Sequence, residues 1–212
     1  MDTQTLHQHQ PVIQRGASLD TASAAMIMIH GRGAAAHHIL DVSSQFPRED
    51  IAYLAPQAYG NSWYPYSFLA PREKNEPGLS DALGTINAIV DTLIAHSFTT
   101  EQIFLLGFSQ GACLALEYTI ANPAKYAGIF GLSGGLIGPH VSSDQYEGQF
   151  YDTPVFLGCS DIDPHIPKQR VLDTERIFSE FGASVTMNLY PNMGHYVNDE
   201  ELQIIGDRLL AF

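Results

Sequence analysis

The sequence predicts an α/β fold with a mostly parallel central sheet and helices on both faces. Short apolar runs rich in β-branched or aromatic residues alternate with longer amphipathic stretches, the pattern of strands covered on two sides. One run, Ile103 to Gly107, breaks at Gly-x-Ser-x-Gly and passes at once into a helix-like stretch, Ala112 to Ala121. At 212 residues, 45% of them hydrophobic, the chain is long enough for one well-buried core. The expectation is a single domain over residues 1–212, with residues 1–20 as a poorly ordered or accessory N-terminal segment.

The expected strands are Ala24 to Ile29, Ile51 to Pro56, Gln102 to Gly107, Tyr126 to Leu132, Pro154 to Gly158 and Ser184 to Tyr190. Between them fall helices over Ala35 to Gln45, Leu79 to Ser97, Ser109 to Asn122, Pro167 to Phe181 and Asp199 to Ala211. In the second helix Ala82, Ile86, Ile89, Val90, Leu93 and Ile94 recur at helical spacing and read as core contacts. Two stretches lack periodicity. Gln57 to Gly78 carries Pro65, Pro71, Pro77 and the aromatic cluster Trp63-Tyr64-Pro65-Tyr66-Ser67-Phe68, and a loop that long in a compact domain is usually functional. Trp63 and Phe68 are therefore expected to line a substrate pocket, the plainer reading being that they plug a gap over the sheet. Gly134 to Thr153 is expected at its rim or as part of a lid.

Charge and composition exclude several classes. A formal charge of −13 with scattered Lys and Arg repels nucleic acid and anionic bilayers. No apolar stretch approaches the ~20 residues of a membrane span, and the polar start lacks the layout of a secretory signal. A cytoplasmic protein with no stable membrane insertion is expected. Cys113 and Cys159 suit a reducing compartment and read as buried packing residues. Of the nine histidines, His37 and His38 are adjacent and expected on different sides of a helix, and His7 and His9 lie in an expected frayed tail. No spacing resembles a zinc site, so neither metal nor organic cofactor is expected.

A Gly-x-Ser-x-Gly match arises by chance in about one chain in ten of this length, so context must decide. Ser109 has that context, because flanking glycines permit a tight strand-to-helix corner and the following helix aims its N-terminal amides at the site. A second match, Gly131-Leu132-Ser133-Gly134-Gly135, runs into Leu136-Ile137-Gly138-Pro139, which starts no helix, and Ser133 reads as a turn residue. A serine hydroxyl needs a base, and the base needs a carboxylate to orient it. Two downstream loops at strand ends supply them. Cys159-Ser160-Asp161-Ile162-Asp163-Pro164 offers Asp161 or Asp163, and Met193-Gly194-His195 offers the imidazole, with His30, His38 and His165 weaker candidates. The order Ser, Asp, His is that of α/β-hydrolases. For an oxyanion, the expected donors are the amides of Gln110 and of Arg32, the latter in the turn His30-Gly31-Arg32-Gly33. The Arg32 side chain reads equally as a surface charge or a substrate contact.

Together these motifs resemble the phospholipase/carboxylesterase family of α/β-hydrolases, which includes bacterial carboxylesterases and acyl-protein thioesterases. His30-Gly31-Arg32-Gly33 looks like the family's His-Gly-x-Gly turn, Ser62-Trp63-Tyr64 like its Ser-Trp-aromatic segment, and Gly107-Phe108-Ser109-Gln110-Gly111 like its nucleophile motif. Asp163-Pro164-His165-Ile166-Pro167 and Met193-Gly194-His195 are similar to its acid and histidine loops. The resemblance implies an α/β-hydrolase fold in a compact form with little or no lid, catalysis by Ser109, Asp163 and His195, and a small-molecule ester or thioester substrate. It favours Asp163 over the alternative acid Asp161. A carboxylesterase is the first expectation, with acyl-protein thioesterase or lysophospholipase activity as an alternative, and a non-hydrolytic ligand sensor or an acyl transferase from other classes. A monomer or homodimer fits family habit. Ser160 stands where the thioesterases usually carry glycine, and Arg32 replaces the residue often found between the two glycines; both departures bear on substrate.

Overall fold

A computed structural model describes residues 6–212. Among these, seven strands, β1 (Val12–Gly16), β2 (Ala24–Ile29), β3 (Ile51–Pro56), β4 (Ile103–Phe108), β5 (Gly128–Leu132), β6 (Pro154–Ser160) and β7 (Ser184–Tyr190), form one sheet in the order β1-β3-β2-β4-β5-β6-β7. All neighbours pair parallel except β1, which runs antiparallel to β3. The helices are α1 (Ala36–Asp41), α2 (Gly78–Ala95), α3 (Gln110–Ala121), α4 (Lys168–Glu180) and α5 (Asp199–Ala211). This is the α/β-hydrolase architecture the sequence predicts.

Alternate side chains of each strand enter opposite cores. Ala25, Ile27 and Ile29 of β2 and Leu105 of β4 pack with Ile86 of α2, Leu114 of α3 and Ile177 of α4. Ala24, Met26 and Met28 with Phe104 and Leu106 meet Leu40 of α1 and Ile205 of α5. Both faces of the central strands are thus buried, which is why these strands read as unbroken apolar runs. The chain leaves β2 toward β3, then crosses back to β4 on the other side of β2. That reversal opens a crevice at the carboxyl ends of β2 and β4, where α/β sheets place ligands.

Several expectations are corrected. Strand β1 lies in the segment set apart as accessory. All five of its residues are exposed, so it shows no buried apolar face, and main-chain pairing to β3 holds it. His7, expected in a frayed tail, is buried: its amide donates to Asp81 Oδ2 at 2.7 Å, and its ring bridges Trp63 O (2.9 Å) and the Tyr59 amide (3.0 Å). Residues 1–5 of that segment lie outside the described residues. Helix α1 is six residues long and tightens into a 3-10 turn over Val42–Gln45. Ile94 is 47% exposed, because at about 100° per residue it falls on the far edge of the stripe centred on Ala82, Ile86 and Leu93. The rings of His37 and His38 lie 4.0 Å apart instead of on different sides, since His38 turns back to accept the Ala35 amide through Nδ1. Among the described residues no helix is long and apolar enough to cross a membrane.

Candidate active site

Ser109 occupies the corner between β4 and α3 with φ 55° and ψ −119°, a left-handed conformation that a non-glycine residue rarely adopts. The corner closes only because its flanking glycines lack side chains. A Cβ on Gly107 would overlap the Gly111 carbonyl, and one on Gly111 would overlap the carbonyl oxygen of Ile29 at the end of β2. The Ser109 amide donates to Leu132 O at 2.9 Å, which ties the corner to the neighbouring strand.

Two distant loops meet this corner. His195 Nε2 lies 2.9 Å from Ser109 Oγ, and its Nδ1 lies 2.7 Å from Asp163 Oδ2. A neutral imidazole with its proton on Nδ1 satisfies both contacts, donating to the carboxylate and accepting from the hydroxyl. The Asp163 side chain is wholly buried. Burial works to raise its pKa, but the His195 ring and the amides of His165 (2.8 Å) and Ile166 (3.1 Å) outweigh it, and the carboxyl is held below its ordinary range. Asp161 is not brought to the ring; its Oδ1 accepts the Asn192 amide at 2.8 Å and closes the histidine loop. Ser160, fully buried, donates its hydroxyl to Met193 O and accepts the Ile162 amide at 3.2 Å, so it fastens the acid loop to the histidine loop. Sequence reasoning noted Ser160 only as a departure and missed this bond, which no local pattern signals.

The turn after β2 forms the opposite wall. His30 is buried and shapes the turn, with Nδ1 2.8 Å from Gly31 O and Nε2 accepting the Ala58 amide at 3.1 Å. Next to it Arg32 reaches across to the aromatic segment, donating from Nη1 to Ser62 Oγ (3.1 Å) and Pro65 O (2.8 Å) and from Nη2 to Tyr66 O (2.6 Å). Gln110 fastens the same segment from beneath, accepting the Trp63 amide at 3.0 Å and donating to Tyr64 O at 2.9 Å. A cavity of about 420 Å³ lies between these walls above Ser109, bordered by Arg32, Tyr64, Phe68, Cys113, His165 and Ile166.

Phe68 borders this cavity, and Trp63 does not. Trp63 has no exposed surface; its indole donates to His30 O at 2.9 Å, and its ring sits between His7 and His30 at 5.3 and 5.0 Å. It is a core plug under the pocket wall, and Tyr64, one residue on, takes the lining position. His165 also lines the cavity, its ring edge-on to His195 at 4.8 Å. The stretch Gly134 to Thr153 does not border this cavity. Arg170 holds the carbonyls of Leu136, Gly138 and Pro139, and Glu117 holds the Ile137 amide, so that stretch instead frames a separate groove of about 740 Å³. Ser133, with φ 50°, is buried at the turn after β5, its amide bonded to Gly158 O at 2.7 Å. Cys113 and Cys159 are buried thiols, and burial pushes each up to about 12.

Three buried groups of this framework make opposed contributions to stability as pH changes. Burial lowers the pKa of His7 and of His30 from the ordinary 6.5. Each stays neutral in the fold where the unfolded imidazole takes a proton, so the stability they contribute is present above pH 6.5 and lost as pH falls toward the depressed values. Glu201, in the capping box of α5 with Asn198, acts oppositely. Burial against Gly158 pushes its carboxyl up from 4.5 to about 7, so its contribution is present below 4.5 and lost as pH rises to 7. Glu201→Gln keeps the capping acceptor and removes the counterweight. Its urea-unfolding free energy should fall more steeply than that of the wild type between pH 7 and 5, by up to ~1.4 kcal/mol per pH unit. Parallel slopes would show that Glu201 is ionised in the fold.

A family model described as phospholipase/carboxylesterase matches residues 9–211. Acyl-protein thioesterase 1 of Kluyveromyces lactis is 36% identical over 129 residues, 59% of this chain and 57% of that protein, so the chain spans little more than half the length of that relative. The Neurospora crassa protein of the same name is 25% identical over 213 residues, 88% of this chain and 86% of its own length. Among solved structures, a phospholipase/carboxylesterase from Dyadobacter fermentans DSM 18053 superposes with a TM-score of 0.92 at 40% identity, covering 95% of this chain and 96% of that one. The Bacillus cereus carboxylesterase, at 16% identity, a TM-score of 0.76 and coverage of 96% and 95%, shares the fold.

Proposed function

Since the chain belongs to the phospholipase/carboxylesterase family, a family of esterase-type hydrolases, we propose that it hydrolyses carboxylic esters through Ser109, His195 and Asp163. One observation carries the reading: imidazole links hydroxyl to carboxylate at 2.9 and 2.7 Å, at a corner held in a sparsely populated backbone conformation. His195 takes the Ser109 proton as Oγ bonds to the acyl carbon. The carbonyl oxygen becomes an oxyanion, received by the amides of Gln110 and Arg32. In the first turn the Gly33 amide is engaged by Asn61 O and the Ala34 amide by Gly31 O, which favours Arg32 as the donor there. As the tetrahedral centre collapses, His195 returns the proton to the leaving alcohol. Water then attacks the acyl-enzyme by the same route in reverse, and serine is regenerated.

The lining of Tyr64, Phe68 and Ile166 favours an apolar portion of substrate, and about 420 Å³ favours a short one. A thioester is the second reading, supported by the thioesterase relatives; the same acyl transfer applies, with a thiol leaving. Nitrophenyl esters of rising chain length, run beside the matched thioesters, test both. Turnover should favour short acyl chains over palmitoyl, with esters ahead of thioesters. A preference for palmitoyl thioester would replace the first reading by the second, and covalent labelling of Ser109 by a fluorophosphonate without turnover of any substrate would make the protein a ligand sensor.

A further inference from the structure

Among the described residues no acid answers the charge that Arg32 carries. The chain has 23 Asp and Glu against 10 Lys and Arg, so carboxylates that could answer a cation are plentiful. Arg15, Arg48, Arg72, Lys125 and Arg176 each pair with a carboxylate; among the described residues Arg32, like Lys74, Lys168, Arg170 and Arg208, has none within salt-bridge distance, and of these five Arg32 is the one that lines the cavity above Ser109. Its acceptors are neutral, a hydroxyl and two carbonyls, so they fix the guanidinium without cancelling it. These bonds use three of its five N–H groups, leaving Nε and one Nη2 hydrogen. The Tyr64 ring lies 5.9 Å from its Cζ, which further sets the plane.

The cavity above Ser109 shares this character. Among the described residues that line it none is Asp or Glu, and Arg32 is the one Lys or Arg. The nearby carboxylates are withdrawn: Asp163 is buried behind His195, and Glu117 is buried and paired to Arg72. A cavity lined by one uncompensated, pre-oriented guanidinium selects an anion of planar geometry, and it does so against a chain whose net charge of −13 repels anions elsewhere.

We propose that the substrate is an ester bearing a free carboxylate, held by the Arg32 guanidinium while Ser109 attacks the ester carbonyl. This rests on the hydrolase reading above and names its substrate class. The carboxylate can sit on the acyl half, as in a monoester of a dicarboxylic acid, or on the leaving group, and the two are tested separately.

For the acyl half, mono-nitrophenyl adipate is compared with the same ester whose free carboxyl is methylated; for the leaving group, the hexanoate of a carboxynitrophenol is compared with that of plain nitrophenol. In at least one pair, kcat/KM should favour the carboxylate by about tenfold or more at low salt, the ratio shrinking as ionic strength rises. The readout in variants is that ratio, since Arg32 also supplies a main-chain donor and any change there lowers both members together. Arg32→Gln should bring the ratio to about one and Arg32→Lys should keep part of it. A ratio near one or below in the wild-type enzyme overturns the proposal and leaves the hydrolase intact. So does an equal loss on both members in Arg32→Gln with the ratio preserved, which would make Arg32 a fastener of the aromatic segment alone. Absence of turnover for all four esters overturns the hydrolase reading and this proposal with it.

Discussion

Ser109→Ala is expected to lower kcat for any ester substrate by about 10⁴- to 10⁶-fold, with thermal stability unchanged or slightly raised. The hydroxyl oxygen is the atom that bonds to the acyl carbon in the proposed mechanism, and nothing nearby replaces it: Cys113 on the cavity lining has its thiol pushed up to about 12 by burial, so it supplies no thiolate at neutral pH. The residual rate should be that of water attacking a carbonyl already held by the oxyanion donors. The fold should survive because alanine accepts the same left-handed corner at much the same cost as serine. Ser133 is the control. It sits in the other Gly-x-Ser-x-Gly match with nearly the same φ, yet it is buried among β5 and β6 and borders no substrate cavity, so Ser133→Ala should stay within a few-fold of wild-type turnover. Initial rates and fluorophosphonate labelling on both variants separate the two serines, and an active Ser109→Ala enzyme would remove Ser109 from the reaction.

What the sequence makes legible follows from where energy is stored. β2, β3 and β7 coincide with their expected limits, Ala24–Ile29, Ile51–Pro56 and Ser184–Tyr190. In β2 and β3 every residue is buried, and β7 is marked by the strand-preferring Val185, Thr186 and Tyr190. β1 escapes the same logic: all its residues are exposed and its stability is in backbone bonds, which leave no mark on composition. The meeting of Ser109, Asp163 and His195 is readable because each lies just past a strand end and a parallel sheet brings strand ends to one rim. Trp63 is not placed by its sequence, because an aromatic cluster in a loop reads alike whether its rings face a ligand or the core. Its inward position is decided by partners 33, 47 and 56 residues away, His30, Gln110 and His7. Ser160 and the Arg32 guanidinium belong to the same class, since both act through carbonyls of distant loops, and any residue can supply a carbonyl.

Asp163→Asn is expected to lower kcat by about 10⁴-fold near neutral pH while Asp161→Asn stays within several-fold, although the two acids are neighbours in one loop. The difference lies in what each oxygen accepts. Asp163 Oδ1 already takes the amides of His165 and Ile166, so the single carbonyl oxygen of an asparagine is committed there, and its NH₂ must face His195. A donor at that point forces Nδ1 to accept and moves the ring proton to Nε2, where it meets the Ser109 hydroxyl as a donor and cannot take its proton. Asp161 only accepts the Asn192 amide, a role that an asparagine oxygen fills equally well. Because the carboxyl of Asp163 lies below its ordinary range, this loss should be visible throughout the neutral range and should shrink in strong base, where hydroxide can attack without the imidazole. Proton spectra of the His195 ring give a second check: the Nδ1 proton bound to the carboxylate should be present in the wild type and in Asp161→Asn, and absent in Asp163→Asn. Equal losses in the two variants would point to Asp161 and Asp163 serving the loop together, and the assignment of the acid to Asp163 alone would fail.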